Sequence, residues 1–189
     1  MGSTDVIAPT DAASYPIPQD DRLSLRSAFL DGMSRAANTV SVVTSDGPGG
    51  RAGVTVSAMT SVSADDGGPS LLVCIHNLSP AAQAIQNNGV FCVNLLHEHQ
   101  SDVADRFAGR LKGQEADKFS GADWATSTTG SPVICEALVS FDCKLAKSVR
   151  HGSHWIFVGD VADVSVNGAK LPLVYANRSY AAVIAPSRI

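Results

Sequence analysis

Two β-branched runs separated by a cluster of turn formers constrain this chain most. Residues 39–44 read Thr-Val-Ser-Val-Val-Thr, residues 53–60 read Gly-Val-Thr-Val-Ser-Ala-Met-Thr, and Asp46-Gly47-Pro48-Gly49-Gly50 stands between them. Branched side chains fit a pleated surface, whereas Gly and Pro interrupt it, so the three pieces predict a hairpin. The pattern recurs along the chain. Asp65-Asp66-Gly67-Gly68-Pro69 forms a second turn before an apolar strand over 71–75. Further β-rich runs cover 90–95, 133–146 and 155–166, the last two joined by a polar link over 147–154, and 171–175 makes a final short strand.

Helical signals are fewer. Leu25, Phe29 and Met33 recur at i, i+4 and i+8 with Leu30 beside them, which predicts an amphipathic helix over 22–35. Ser79 is a favoured N-cap, Pro80 suits a first helical position and Gly89 suits a helix end, so a short helix should lie between them. Val103 and Phe107, followed by Gly109, predict another over 98–108, while 110–131 reads as loop with one helical turn near Lys118 and Phe119. About seven strands, two or three short helices and no βαβ alternation predict a mainly β fold, an antiparallel barrel with helices outside.

A chain of 189 residues accommodates one domain plus a tail. Its net charge of −4 falls entirely within residues 1–21, where Asp5, Asp11, Asp20 and Asp21 meet no Lys or Arg. That stretch also holds Pro9, Pro16 and Pro18 and no hydrophobic period, so it is expected to be a flexible acidic tail, with 22–189 as the single domain. The absence of a basic run argues against nucleic acid as the main partner, and no apolar run reaches the ~20 residues that span a bilayer. Without the basic start and apolar centre of a secretory signal, the expected location is the cytoplasm. Cys74, Cys92, Cys135 and Cys143 lie in apolar runs without a Cys-x-x-Cys pair, and are expected to be reduced core residues.

Among chemical motifs, Gly47-Pro48-Gly49-Gly50-Arg51-Ala52 fits a lax dinucleotide fingerprint, but a strand follows where a helix is required. At His76-Asn77-Leu78-Ser79-Pro80 a buried strand meets a helix N-terminus, where free N–H groups attract an anion. Ser79 serves either a phosphate there or simple capping. In the run over 53–63 small hydroxyl residues alternate with apolar ones, which lets a planar ligand approach the backbone. His97 and His99, and His151 and His154, lack a recognisable zinc pattern and are expected to face solvent; no metal is expected. His154 opens a strand after Gly152-Ser153, where an imidazole can hydrogen-bond a bound amide. No nucleophile elbow is present.

Taken in order, these pieces resemble the short-chain flavin reductases, the reductase components of two-component flavin-dependent monooxygenases. The likeness runs from about residue 23 to 180. It rests on Phe29-Leu30-Asp31-Gly32-Met33-Ser34, the runs over 39–44 and 53–63, the strand over 71–75, and Phe91-Cys92-Val93-Asn94-Leu95. Arg106-Phe107-Ala108-Gly109, Asp117-Lys118-Phe119, the segment 152–161 and Pro172-Leu173-Val174-Tyr175 complete it.

The resemblance implies an FMN-binding split β-barrel with short peripheral helices. It places Thr55, Val56, Ser57 and Ala58 along the isoalloxazine ring with Ser61 and Val62 nearby, and His76, Asn77 and Ser79 at the flavin phosphate. Asn94, Arg106, Phe107 and Ala108 join the cofactor contacts. His154, in Gly152-Ser153-His154 where the family has Gly-Asp-His, falls at the nicotinamide, and Tyr180 borders it. The implied activity is hydride transfer from NADH or NADPH to FMN or FAD, with reduced flavin released to a monooxygenase and a homodimer building the flavin groove. The alternatives are a non-catalytic flavin- or haem-binding split barrel, or a flavoenzyme that keeps its flavin and acts on an organic substrate.

Overall fold

The computed structural model describes residues 19–111, 117–168 and 170–184. The expected tail lies outside the described residues as far as position 18. Helix α1 spans Gln19–Arg35 and so begins before the expected residue 22, with Asp20 and Asp21 in its first turn, where the helix dipole favours acidic groups. The chain divides into two compact units, one ending at Arg35 and one beginning at Ala36.

The second unit holds all the described strands. In chain order these are β1 (Asn38–Thr39), β2 (Ser41–Ser45), β3 (Ala52–Val56), β4 (Met59–Ser63) and β5 (Ser70–His76), then β6 (Val90–Leu95) after helix α2 (Pro80–Asn88). Helix α3 (Ser101–Phe107) and a 3-10 turn at Lys118–Gly121 precede β7 (Trp124–Thr126), β8 (Pro132–Ile134), β9 (Val139–His151), β10 (His154–Val166), β11 (Leu173–Ala176) and β12 (Ser179–Ala182). Seven strands form an antiparallel sheet in the order β3-β2-β6-β9-β10-β5-β4.

The two edges of this sheet are consecutive in sequence. The run over 53–60, expected as one strand, breaks at Ser57 and Ala58, and the chain crosses there from one edge to the other. The Cys74 N–H donates to the Ala58 carbonyl at 3.1 Å, which fastens the crossing to β5. The barrel is thereby drawn together without a strand ladder across the gap.

Two cores follow from alternation along the strands. Val43, Val56, Val73, Ile75, Phe91, Val93 and Phe157 fill the barrel interior, while Val40, Val42, Leu96, Ile134 and Leu173 form a second cluster with Val103, Ala104 and Phe107 of α3. β2 is buried along its whole length because Val43 faces the first cluster and Val42 the second. Each such side chain, fully buried, contributes roughly 1.5–3 kcal/mol. Gly159 is required by this packing, since a Cβ there would stand 2.5 Å from Phe91 Cζ.

Several expectations need correction. The segment 147–151 is strand rather than link, because β9 runs on beyond its pairing with β6 and stays paired with β10 as far as a tight turn where Gly152 takes φ +56°. β7 and β8 arise within or beside the expected loop over 110–131, of which 112–116 lie outside the described residues. Cys92 and Cys143 are buried as expected, but Cys74 is half-buried and Cys135 exposed; all four are free. Burial, followed by the charges of Asp142 and Asp160, pushes the Cys143 thiol up to about 12.

Asn94, expected among the cofactor contacts, is instead a completely buried tie between strands. Its Nδ2 donates to the Val42 carbonyl (3.1 Å) and Thr44 Oγ1 (3.2 Å), and its Oδ1 accepts from the Ile134 N–H (2.9 Å) and Ser140 Oγ (3.2 Å). An amide so engaged has no group left for a ligand. Asn94→Ala leaves buried polar groups unsatisfied, and chemical denaturation should show a loss of about 2–4 kcal/mol.

Candidate functional site

Edge strand β3 brings Thr55 and Val56, with Ser57 just beyond, to a cavity of about 140 Å³ that is also lined by Val40, Ala108, Arg110, Tyr175 and Tyr180. On the side away from β2 its backbone groups lack a ladder partner, which leaves them available to a ligand. Thr55 Oγ1 donates to the Ala104 carbonyl at 2.6 Å and so anchors the edge to α3.

The other walls come from two chain reversals. α3 ends at Phe107 with Ala108 as its cap, Gly109 takes φ +71°, and the Arg110 N–H turns back to the Asp105 carbonyl at 2.9 Å. β11 and β12 form a hairpin whose turn residues Asn177 and Arg178 both have positive φ (49° and 61°), as a two-residue mirror-image turn requires. That hairpin pairs Tyr175 with Tyr180 across the strands, their rings 5.6 Å apart.

Polar contacts fix these walls. Tyr180 Oη donates to Asp105 Oδ1 at 2.7 Å, and Arg110 Nη1 donates to the same carboxylate oxygen (3.2 Å) and to Tyr180 Oη (3.3 Å). The guanidinium carbon lies 5.7 Å from the Tyr175 ring centre and 5.8 Å from that of Tyr180. Burial first, then the hydrogen bond to Asp105 and its charge, push the Tyr180 phenol up to about 12. The pocket thus combines main-chain donors and acceptors, small hydroxyl residues, two aromatic rings and one fixed cation, a set suited to a flat, polar heteroaromatic ring.

A second group of expected residues gathers where β5 meets α2. His76 and His154 are cross-strand partners with ring centres 5.1 Å apart at an interplanar angle of 80°. The Leu78 N–H donates to His76 Nδ1 (3.2 Å), the Asn77 N–H to the Ser153 carbonyl (2.9 Å), and Ser153 Oγ lies 3.0 Å from His154 Nδ1. Ser79 occupies the N-cap of α2 with extended backbone, yet its side chain makes no capping bond. The Ser79 side chain is therefore not spent on capping, although the N–H groups of Asn77, Leu78, Ser79 and Ala82 are already engaged within the chain.

The remaining expected residues divide differently. The Ala58 carbonyl is engaged by Cys74, while Ser61 and the exposed Val62 sit on edge strand β4. Phe107 does not line the cavity: it is buried against Phe119 and Trp124, with ring centres 5.1 and 5.7 Å away, and a Cβ on Gly53 would stand 2.6 Å from it. Arg106 points toward the 3-10 turn, where its Nη1 donates to Ser120 Oγ (3.3 Å), and does not line the cavity. His97, expected to face solvent, is buried, accepting the His99 N–H at Nδ1 (3.1 Å). Among the described residues no group of three or more His, Cys, Asp or Glu is placed to hold a metal, and no helix is long and apolar enough to cross a membrane.

Sequence reasoning missed Asp105, Arg110 and Tyr175. Gly109 as a helix stop, which sends Arg110 back over the last turn, was the available signal for the first two. Asn177-Arg178 between Tyr175 and Tyr180 was the signal for the third, because a two-residue hairpin turn makes those tyrosines partners.

The fold is an open antiparallel barrel with a polar cavity beside its edge strand β3. A model of the flavin reductase like domain matches residues 33–183. The chain is 39% identical over 176 residues to FMN reductase (NADH) RutF of Ancylobacter novellus, covering 93% of this chain and 94% of that one. It is 41% identical over 153 residues to FMN reductase (NADH) RutF of Pseudomonas syringae pv. syringae, covering 81% and 84%. Two solved structures share the architecture: flavin reductase PheA2 in its native state (29% identity, 88% and 100% covered, TM-score 0.75) and BorF, the flavin reductase component of a bacterial two-component tryptophan halogenase (31%, 89% and 100%, 0.73). The chain belongs to the flavin reductase-like family, and its fold is the split β-barrel of that family.

Because the Tyr180 phenol is raised, its protonated form is favoured by folding. Its contribution to stability is complete below pH 10 and is lost as the pH rises toward about 12. An ultraviolet titration of the folded protein should show one late tyrosine ionisation that is missing in Tyr180→Phe.

Proposed function

We propose that this chain is an NAD(P)H:flavin oxidoreductase, and that the cavity beside β3 seats the flavin ring. The observation that carries the reading is the convergence of Thr55, Val56, Ser57, Ala108 and Tyr180 on one cavity, from three separate parts of the chain. The names of the two RutF relatives favour FMN and NADH as the pair used. With both coenzymes bound, a hydride passes from the nicotinamide C4 to the flavin N5.

The residues present fit such a ring. The free edge of β3 offers hydrogen-bond groups at a surface kept shallow by Ser57 and Ala58, and Tyr175 and Tyr180 give it an aromatic border. The uncapped mouth of α2, with Ser79, Asn77 and the His76 ring, suits a phosphate. His154 is held by Ser153 beside His76 and orients the nicotinamide amide. Fixing two flat rings face to face turns an encounter of separate molecules into a unimolecular step, which accounts for a reaction that needs no carboxylate pair.

A homodimer completes the groove in this reading. On the β5–β10 face turned away from the barrel core, Leu72, Cys74, Ile156 and Val158 are partly exposed, and Val149 on β9 is exposed, which supports burial against a second copy. The cytoplasm is the proposed location, where free thiols persist. The reduced flavin is released and diffuses to a separate monooxygenase; BorF, a reductase component, supports such a division of labour.

Oxidation of NADH and NADPH with FMN, FAD and riboflavin tests the proposal: saturable turnover of added flavin is expected, and its absence with every pair overturns the reading. His154→Ala should raise the nicotinamide KM or lower kcat about tenfold, ~1.4 kcal/mol. Unchanged kinetics with both nucleotides would remove His154 from the site.

A further inference from the structure

The cavity beside β3 contains one charge that the proposed ring seat does not by itself need. Arg110, Tyr175 and Tyr180 line the cavity, whereas Asp105 does not. The ion pair between Arg110 and Asp105 (3.2 Å) is therefore presented with its cation toward the ligand and its anion behind. Asp105 and Tyr180 both engage Nη1 of the guanidinium. Tyr175 is a further hydrogen-bond partner of the guanidinium; with five N–H donors in a planar fork, arginine still has donors left for a flat pair of acceptors, and its charge persists at every working pH.

A flavin presents such a pair at its pyrimidine edge, N1 and the C2 carbonyl. Hydride transfer brings two electrons and one proton to the flavin: the hydrogen is bound at N5, the negative charge collects at N1 and C2=O, and the nicotinamide departs as a cation. Main-chain donors along β3 meet the ring in either oxidation state. A fixed cation discriminates between the two, because its attraction grows with the charge that appears.

We propose that Arg110 is the charge-stabilising residue of this site: held by Asp105 and framed by Tyr175 and Tyr180, it binds the N1–C2=O edge and prefers the reduced, anionic flavin over the oxidised one. This rests on the flavin-seat reading above. Asp105 is a positioning residue that acts through Arg110, and Tyr180 couples both to the hairpin. The arrangement gives the site a thermodynamic bias toward reduction, whatever the rate of hydride transfer.

The test is anaerobic titration of wild-type protein, Arg110→Gln and Arg110→Lys with FMN and riboflavin, each oxidised and reduced, followed by flavin absorbance and fluorescence. Arg110→Gln should weaken the reduced forms of both flavins about tenfold while oxidised forms change less than about twofold, with Arg110→Lys between them. A tenfold differential lowers the bound flavin's midpoint potential by about 30 mV, a readout independent of turnover. Asp105→Asn should move reduced-flavin affinity in the same direction with a smaller effect.

Equal weakening of oxidised and reduced forms would overturn the proposal in favour of a plain ring contact. Weakening confined to FMN would overturn it in favour of a phosphate contact, and no change in any titration would make the pair an idle surface bridge. Failure of the underlying reading looks different. If wild-type protein binds neither flavin, both claims fall; if Ser57→Trp leaves flavin binding intact, the ring sits elsewhere and Arg110 with it loses its role.

Discussion

The molecule depends on a barrel that is held closed without being laddered closed. Two residues, Ser57 and Ala58, connect the first and last strands of a seven-stranded sheet, and one main-chain hydrogen bond from Cys74 secures the crossing. A fully paired barrel would have consumed the backbone groups of β3. Because the seam is open, those groups stay unpaired next to small side chains, beside the cavity proposed to seat the flavin ring.

An open seam needs rigid support, and the interior supplies it from both sides of β2. Val43 locks that strand to the barrel core while Val42 locks it to the outer cluster, so neither face can slide without disturbing a filled core. Asn94 adds direction to that packing by fixing β6, β2 and the start of β9 to the end of β8 at Ile134. The pocket walls are thus carried by elements whose positions are over-determined, although the pocket itself is shallow.

Much of this was legible in the amino-acid order. The β2–β3 hairpin, β5, α2 with its Pro80 start and Gly89 end, and β6 follow from local pattern, since their periodicity and turn chemistry agree with their burial. The break at Ser57 and Ala58 was not legible, because alternation continues through it and only the closing geometry requires it. Asn94 and Phe107 were read as ligand contacts on family resemblance, and both are buried, one in a polar network between strands and one in an aromatic cluster. Conversely, Arg110 looked like one more loop cation; its placement depends on the left-handed Gly109, which is a tertiary consequence of a local signal.

The tyrosine hairpin has a consequence for how such a protein can change. The sheet formed by β1, β11 and β12 joins the rest through Val40, Leu96 and Leu173, and its reversal at Asn177 and Arg178 lies at the surface. Altering that bend tilts both phenol rings while leaving the barrel strands untouched. In the proposed reading, substrate range can therefore drift through a few surface positions, much as a jaw is reshaped without rebuilding the skull.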